Sequence, residues 1–316
     1  MTKKPLIGIT MGDPNGIGPE VILKSVQSEQ VLSICEPVIY GSHAVFRKAE
    51  AEFEISLKCR IDDKGRFGDL IVNEGSVDKK AGESSLFYIE EAVKDAIDKK
   101  IDAVVTAPIS KESTHQAGSV YPGHTEMLKD LTGAGKAVML FEGGPFKVAL
   151  VTIHTAISEV PVLITRRTVL DTLRVCNTDL EEKYGIKSPS IAVCGLNPHA
   201  GEAGAFGKEE IEEIIPAIKE AVSDGMNVSG PYPADTLFYN ANKGEFDLVI
   251  AMYHDQGLIP FKMLAFDTGV NVSLGLPIVR TSPDHGTAFD IAWKGDANPG
   301  SMIEAIKAAV RLCSND

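Results

Sequence analysis

The sequence predicts an α/β fold made of two α/β domains. Three observations carry this. Apolar runs of strand length alternate with runs of helical periodicity along the chain. His, Asn, Lys and Asp gather where apolar runs end, the edge at which open α/β sheets bind ligands. The length of 316 residues exceeds one typical core.

The strand-like runs are LIGIT (6–10), PVIY (37–40), DAVVTAP (102–108), KVALVTIH (147–154), SIAVCGLN (190–197) and DLVIAMYH (247–254). Between them lie helix-like runs: EVILKSVQ (20–27), SSLFYIEEAVKDAIDKK (84–100), EEIEEIIPAIKEAVSDG (209–225) and SMIEAIKAAVRLC (301–313). In the second of these, Leu86, Ile89, Val93 and Ile97 recur at helical spacing, with Glu90 and Lys94 as an i,i+4 pair on the polar face. No internal repeat or low-complexity linker separates two blocks. A second domain is therefore expected from the chain crossing over and returning.

The net charge is −13, from 31 basic and 44 acidic residues. A surface this acidic repels nucleic acid and anionic lipid, so neither is expected as a partner. An anionic substrate would need positive groups gathered locally. No apolar run reaches the roughly 18 residues of a membrane span, and the opening MTKKPLIGIT lacks the long apolar region of a signal peptide. The expected location is the cytoplasm. The five cysteines are scattered without a CxxC pair, which reads as reduced thiols.

Of seven histidines, three share one context: His154, His199 and His254 each end or closely follow an apolar strand. Neutral imidazoles from three loops can form a three-nitrogen metal site with an open position. The alternative is three hydrogen-bonded loop histidines. Imidazole suits zinc, cobalt, nickel or iron, and oxygen ligands in the remaining positions admit manganese or magnesium. Asp235 and Asp255 are candidate carboxylate partners for such a site, or simply turn and cap residues.

GHTEML places His124 and Thr125 before an expected helix, where backbone N–H groups can hold a phosphate. Lys262, Asn271 and Arg280 stand in an otherwise apolar, glycine-rich stretch. A lysine and an arginine there are either snorkelling surface residues or anion ligands, and composition does not choose. SPDHGTAFDIAWKGDANPGS (282–301) can hold a cofactor or merely turn a corner.

These residues resemble a known family, the 4-hydroxythreonine-4-phosphate dehydrogenases of vitamin B6 biosynthesis. The matching motifs are GDPNGIGPE, TAPISK, GHTE, GLNPHAGE with GKEE from Gly207, GPYPADT, AMYHDQGLIPFK, GVNVSLGLP and RTSPDHGTAFDIA, running in order from residue 12 to 292. The resemblance implies the isocitrate/isopropylmalate dehydrogenase-like fold, with the active site in the cleft between two α/β domains. These are expected at 1–118 plus 281–316, carrying cofactor loops, and at 119–280, carrying metal ligands and a dimer interface. It implies NAD as cofactor, with NADP as the alternative, and a divalent metal, zinc before magnesium, manganese or cobalt. The family's metal ligands fall on His154, His199 and His254. Its substrate contacts fall on His124, Thr125, Lys262, Asn271 and Arg280. Cofactor contacts are expected at Gly12, Gly16, Asp284, His285, Gly286, Thr287 and Asp290, the last four within a segment, 285–299, resembling the isocitrate-dehydrogenase-type signature HGSAPDIAGKGIANP. The family site is completed across a homodimer interface.

The implied reaction oxidises the C3 hydroxyl of 4-phosphohydroxy-L-threonine and decarboxylates the product to 3-amino-2-oxopropyl phosphate. Two departures open an alternative. His154 sits in IHTAISEVP, where the biosynthetic enzymes have something like HLPLRDVP, and YPGHTEML resembles a subgroup acting on D-threonate or D-erythronate 4-phosphate to give dihydroxyacetone phosphate. The base is Lys262, Asp235 or a water on the metal. Two other classes are weighed. A phosphotransacetylase-like acyltransferase would need neither the histidines nor HGTAFDIA, and a non-catalytic metabolite-binding protein would not need the full residue set.

The opening MGDPNGIGPE is not a G-x-G-x-x-G fingerprint, because Gly12, Gly16 and Gly18 have the wrong spacing. It is expected to be the opening turn of a different NAD fold. Pro19 suits the first turn of the following helix.

Overall fold

The structure is a computed structural model and describes residues 4–314. The chain forms two compact units: residues 4–134 with Leu276–Ser314, and Gly135–Gly275. The chain therefore does leave one unit, build another and return. The breaks fall at 134/135 and 275/276, so His124, Thr125 and Arg280 belong to the first unit.

The first unit is built on β1 (Leu6–Thr10), β2 (Glu36–Tyr40), β3 (Arg60–Asp62) and β4 (Ala103–Thr106). The second contributes β5 (Val138–Glu142), β6 (Val148–Leu150), β7 (Ile191–Cys194), β8 (Val228–Tyr232), β9 (Leu248–Ala251) and β10 (Val270–Leu274). The returning chain adds β11 (Val279–Pro283) to the first unit.

The first unit's strands run in the order β3-β2-β1-β4-β11, every pair parallel. β4 is buried throughout and β1 over all but its first residue, which is why they read as unbroken apolar runs: a parallel sheet is covered on both faces. The helix Lys79–Ile97 is capped by Asp78, whose side chain accepts from the Ala81 amide. Its buried stripe differs from the expected one. Ile89 and Val93 are buried with Ala81, Ser85, Tyr88, Ala92 and Ala96, whereas Ile97 is 46% exposed and Leu86 only half-buried. The face turns toward the small residues because the helix packs closely: a Cβ at Gly82 would lie 2.0 Å from the Ser113 carbonyl oxygen.

The second unit's strands run β10-β5-β6-β9-β7-β8. β6, β9, β7 and β8 are parallel, and β5 is antiparallel to both β6 and β10. Phe141, Phe146, Val148, Val249, Leu258 and Phe261 form the centre of its core. Two helices here run through stretches not expected to be helical. Arg166–Glu182 opens on a capping box between Thr165 and Thr168. His254–Ala265 contains Gly257 and Pro260, and begins where a loop was expected. A Cβ at Gly257 would touch Leu150, Val148 and Ala251, so this helix lies directly on β6 and β9.

Candidate active site

In the first unit, the opening and closing motifs are bound to each other. The Ile17 amide donates to the Thr287 carbonyl at 3.0 Å, and Trp293 Nε1 donates to the Pro14 carbonyl at 2.9 Å. The Ala297 amide donates to Glu20 Oε1 at 2.8 Å, and Lys24 bridges Glu20 to the Gly295 carbonyl. Distant parts of the chain thus form one loop cluster. Gly12 and Gly16 permit close backbone approach. A Cβ at Gly12 would lie 2.4 Å from the Pro108 carbonyl oxygen, and one at Gly16 would lie 2.9 Å from that of Thr287. The space left by their missing side chains is filled by the protein's own backbone. Among the other cofactor candidates, Gly286 and Asp290 are exposed, while Asp284 donates its amide to Ser301 Oγ and His285 Nδ1 lies 3.1 Å from the Gly286 carbonyl.

Asp13, in the opening motif, is fully buried. Burial raises its carboxyl from 3.8 to about 6, against the opposing hydrogen bonds from Asn15, Ser113 and Ser110.

Arg280 on β11 pairs in register with Val104 on β4 and is 2% exposed. Its Nε and Nη2 both donate to the Thr106 hydroxyl at the carboxyl end of β4. Burial lowers the guanidinium to about 9, which leaves it cationic at neutral pH. The His124 imidazole is pushed well below 6.5 by burial and then by the Arg280 charge, so it is neutral. Its Nε2 is buried without a hydrogen-bond partner among the described residues. Thr125 is buried beside it in the first turn of the helix His124–Thr132, where backbone N–H groups have no intrahelical acceptor. A fixed cation, an orphaned imidazole nitrogen and open amides are groups that could hold an anion.

In the second unit, the three histidines follow three adjacent parallel strands. His154 lies beyond β6, His254 beyond β9 and His199 beyond β7, all at the carboxyl edge, and Asp235 lies beyond β8. The His154 and His254 rings are 6.0 Å apart and border a cleft of about 410 Å³ with Ile153, Val160, Tyr253 and Asp255. His254 Nδ1 donates to Asp255 Oδ1 at 2.7 Å, the carboxylate its neighbour in sequence suggested. His199 Nδ1 donates to Glu202 Oε2 at 3.1 Å, and its ring packs edge-on against Phe206. A carboxylate partner selects the tautomer with Nε2 as the free acceptor, the arrangement common to metal-ligating histidines. His199 does not line the cleft of the other two, and no group of three or more His, Cys, Asp or Glu is drawn together to hold a metal ion among the described residues.

Lys262 and Asn271 lie elsewhere in this unit. The helix from His254 runs back along β6, and Lys262 is about 12 Å down its axis at 1.5 Å per residue. Asn271 pairs with Phe141, which pairs with Val148, placing it level with the start of β6. Its buried Oδ1 has no hydrogen-bond partner among the described residues. Both residues sit toward the end of the unit opposite the histidines. Asp235 is exposed in the first turn of the helix Ala234–Ala241.

The family model described as "Pyridoxal phosphate biosynthetic protein PdxA" matches residues 33–309. The chain belongs to the PdxA family. A 4-hydroxythreonine-4-phosphate dehydrogenase of Desulforapulum autotrophicum is 44% identical, covering 97% of this chain and 95% of that protein. A D-threonate 4-phosphate dehydrogenase of Cupriavidus necator is also 44% identical, covering 98% of each. The crystal structure of a 4-hydroxythreonine-4-phosphate dehydrogenase from Burkholderia phymatum superposes with a TM-score of 0.86 at 43% identity, over 98% of this chain and 99% of that one. The α/β fold is that of the PdxA family, and the chain is an enzyme of its dehydrogenase type. No helix among the described residues is long and apolar enough to cross a membrane.

Sequence reading of this PdxA-family chain missed two residues that hold candidate site residues in place. Thr106 fixes Arg280, and Glu210 fixes the loop before His199. Both lie in motifs, TAPISK and GKEE, whose polar residues were visible but whose targets are 174 and 13 positions away.

Proposed function

We propose that the protein catalyses NAD-dependent, divalent-metal-dependent oxidation of the C3 hydroxyl of a phosphorylated four-carbon 3-hydroxy acid, followed by loss of CO₂ from the 3-oxo acid. The observation that carries this is the row of His154, His254 and His199 at the carboxyl ends of three adjacent parallel strands, two with Nδ1 held by a carboxylate. That donor set fits a divalent metal in kind, zinc before cobalt, manganese or magnesium. A metal held by these histidines would supply Lewis acidity toward substrate oxygens, and a bound nicotinamide would serve as the hydride acceptor. Arg280, His124 and the Thr125 turn bind and orient the anionic substrate, offsetting the overall negative charge. Lys262 or Asp235 takes the C3 hydroxyl proton.

We further infer a homodimer with shared active sites. Two features support it. Lys262 and Asn271 lie away from the histidines of their own chain. The helix that carries Lys262 exposes Ile259, Met263 and Leu264, with Phe266 beyond it, an apolar patch of the kind that marks interfaces.

Relatives bearing both substrate names are equally similar, so one assay decides between them. Purified protein with NAD and zinc, cobalt, manganese or magnesium is offered 4-phosphohydroxy-L-threonine, D-threonate 4-phosphate and D-erythronate 4-phosphate side by side. NADH formation with at least one, abolished by chelator and by His199→Ala, is the expected result. No NADH from any of the three overturns the proposal.

A further inference from the structure

His199 stands in an unusual backbone. From His199 through Ala203 five consecutive residues have positive φ: 54°, 52°, 79°, 43° and 52°. Only Gly201 among them is a glycine, and each L-residue in this region costs on the order of 1–2 kcal/mol. Such a turn persists only where its surroundings over-determine it.

One buried carboxylate stands among those surroundings. Glu210 is 1% exposed. Its Oε1 accepts from the Leu196 amide at 2.8 Å and the Asn197 amide at 2.7 Å, and its Oε2 accepts from Asn197 Nδ2 at 3.0 Å. Glu209 Oε2 accepts from the same Asn197 amide group at 2.7 Å. The carboxylate also packs against the turn itself, at Gly201. A Cβ at Gly201 would be 2.5 Å from Glu210 Oε2, and one at Gly195 would be 3.2 Å from Oε1. Glu210 also opens a π-helical turn, Glu210–Ile214, a local departure that recurs at functional sites.

We propose that Glu210 is a positioning residue for His199: it anchors the segment that enters the left-handed turn, packs against the turn at Gly201, and so sets the affinity of the site for a divalent metal. The inference rests on the reading of His199 as a metal ligand. Glu210 itself would touch neither metal nor substrate. Glutamine at this position keeps the shape but cannot replace the carboxylate. With its oxygen toward the two backbone amides, its NH₂ group meets the Asn197 NH₂, donor against donor.

The test uses the whole chain with Co²⁺ alone as probe, comparing wild type, Glu210→Gln, Asn197→Ala and His199→Ala. Amide exchange over residues 195–204 is measured without metal, and Co²⁺ affinity by titration of visible absorption. Glu210→Gln is expected to speed exchange at Leu196 and Asn197 while β6 and β9 exchange as in wild type. It is expected to weaken Co²⁺ binding about 10–100-fold, the usual cost of losing a residue that orients a metal ligand. Asn197→Ala should move both readouts the same way by less. Unchanged exchange in Glu210→Gln overturns the proposal, and so does faster exchange with wild-type Co²⁺ affinity. If Glu210→Gln does not fold, Asn197→Ala decides on the same two readouts. Wild-type Co²⁺ affinity in His199→Ala overturns the ligand reading itself, and is told apart because no change at Glu210 is involved.

Discussion

Arg280 donates to the Thr106 hydroxyl from both Nε, at 3.2 Å, and Nη2, at 2.5 Å, so a buried guanidinium on β11 is aimed by the last residue of β4. The two residues are 174 positions apart and share no local motif.

This contact predicts a split in kinetics. Thr106→Val keeps the shape and removes the acceptor, at a cost of about 1.5–3 kcal/mol for a hydrogen bond to a charged group. KM for the phosphorylated substrate should rise roughly tenfold or more with kcat less affected, and Thr106→Ser should restore it. Arg280→Ala should raise KM further. If Arg280→Ala raises KM and Thr106→Val does not, the hydroxyl does not aim the guanidinium.

Asp13 should make stability depend on pH. Its folded carboxyl titrates near 6 against 3.8 unfolded, so the native state binds the extra proton between those values. Stability is therefore fully present below the unfolded value and lost as pH rises through the folded one. Asp13→Asn should be more stable than wild type above pH 7, by up to about 3 kcal/mol, and equal to it near pH 4. Urea unfolding from pH 4 to 8 measures this. Parallel curves for the two proteins would contradict the raised carboxyl.

Gly82→Ala sets helix propensity against packing. Alanine gains about 1 kcal/mol over glycine in a helix interior. Its Cβ would lie 2.0 Å from Ser113 O, a backbone atom that cannot swing aside. Overpacking costs about 1–3 kcal/mol or more, so packing wins and the urea midpoint should fall. A raised midpoint would show that the helices Lys79–Ile97 and Lys111–Gln116 separate easily.

The exposed apolar residues after His254 predict the oligomeric state. Met263 is 80% exposed and Phe266 74%. Met263→Glu combined with Phe266→Glu should halve the molar mass seen by light scattering and abolish turnover, since each site would lose its second chain. A fully active monomer would exclude shared sites.

Much of the fold was legible because parallel strands bury both faces. β1, β4, β7 and β9 are unbroken apolar runs. β8 (VSGPY), β10 (VNVSL) and β11 (VRTSP) escaped notice because polar residues and proline interrupt the pattern. Gly257 and Pro260 hid the helix that begins at His254, so that residue read as a loop histidine. The capping box at Thr165 and Thr168 was a usable signal for the helix Arg166–Glu182. At the site, residue types were readable but partners were not. His254 with Asp255 is a sequence neighbour pair, whereas the aim of Arg280 and the shape of the His199 turn depend on contacts that form only after the chain has crossed over. The loss of Lys262 and Asn271 from the histidine edge follows from helix direction and strand register, neither of which appears in a motif.

The return of the chain through β11 has a consequence for synthesis. β4 is made by residue 106, but its neighbour β11 begins at Val279, and the helix Gly300–Cys313 that covers β11 and β4 comes later still. At about 5–20 residues per second, a nascent chain holds β4 with one flank open for many seconds while residues 135–275 emerge. The Gly135–Gly275 unit is contiguous and can close on the ribosome. The first unit cannot, so its sheet is completed only after nearly the whole chain has been translated, and a truncated product would leave one edge of the mostly apolar β4 unpaired and open to aggregation.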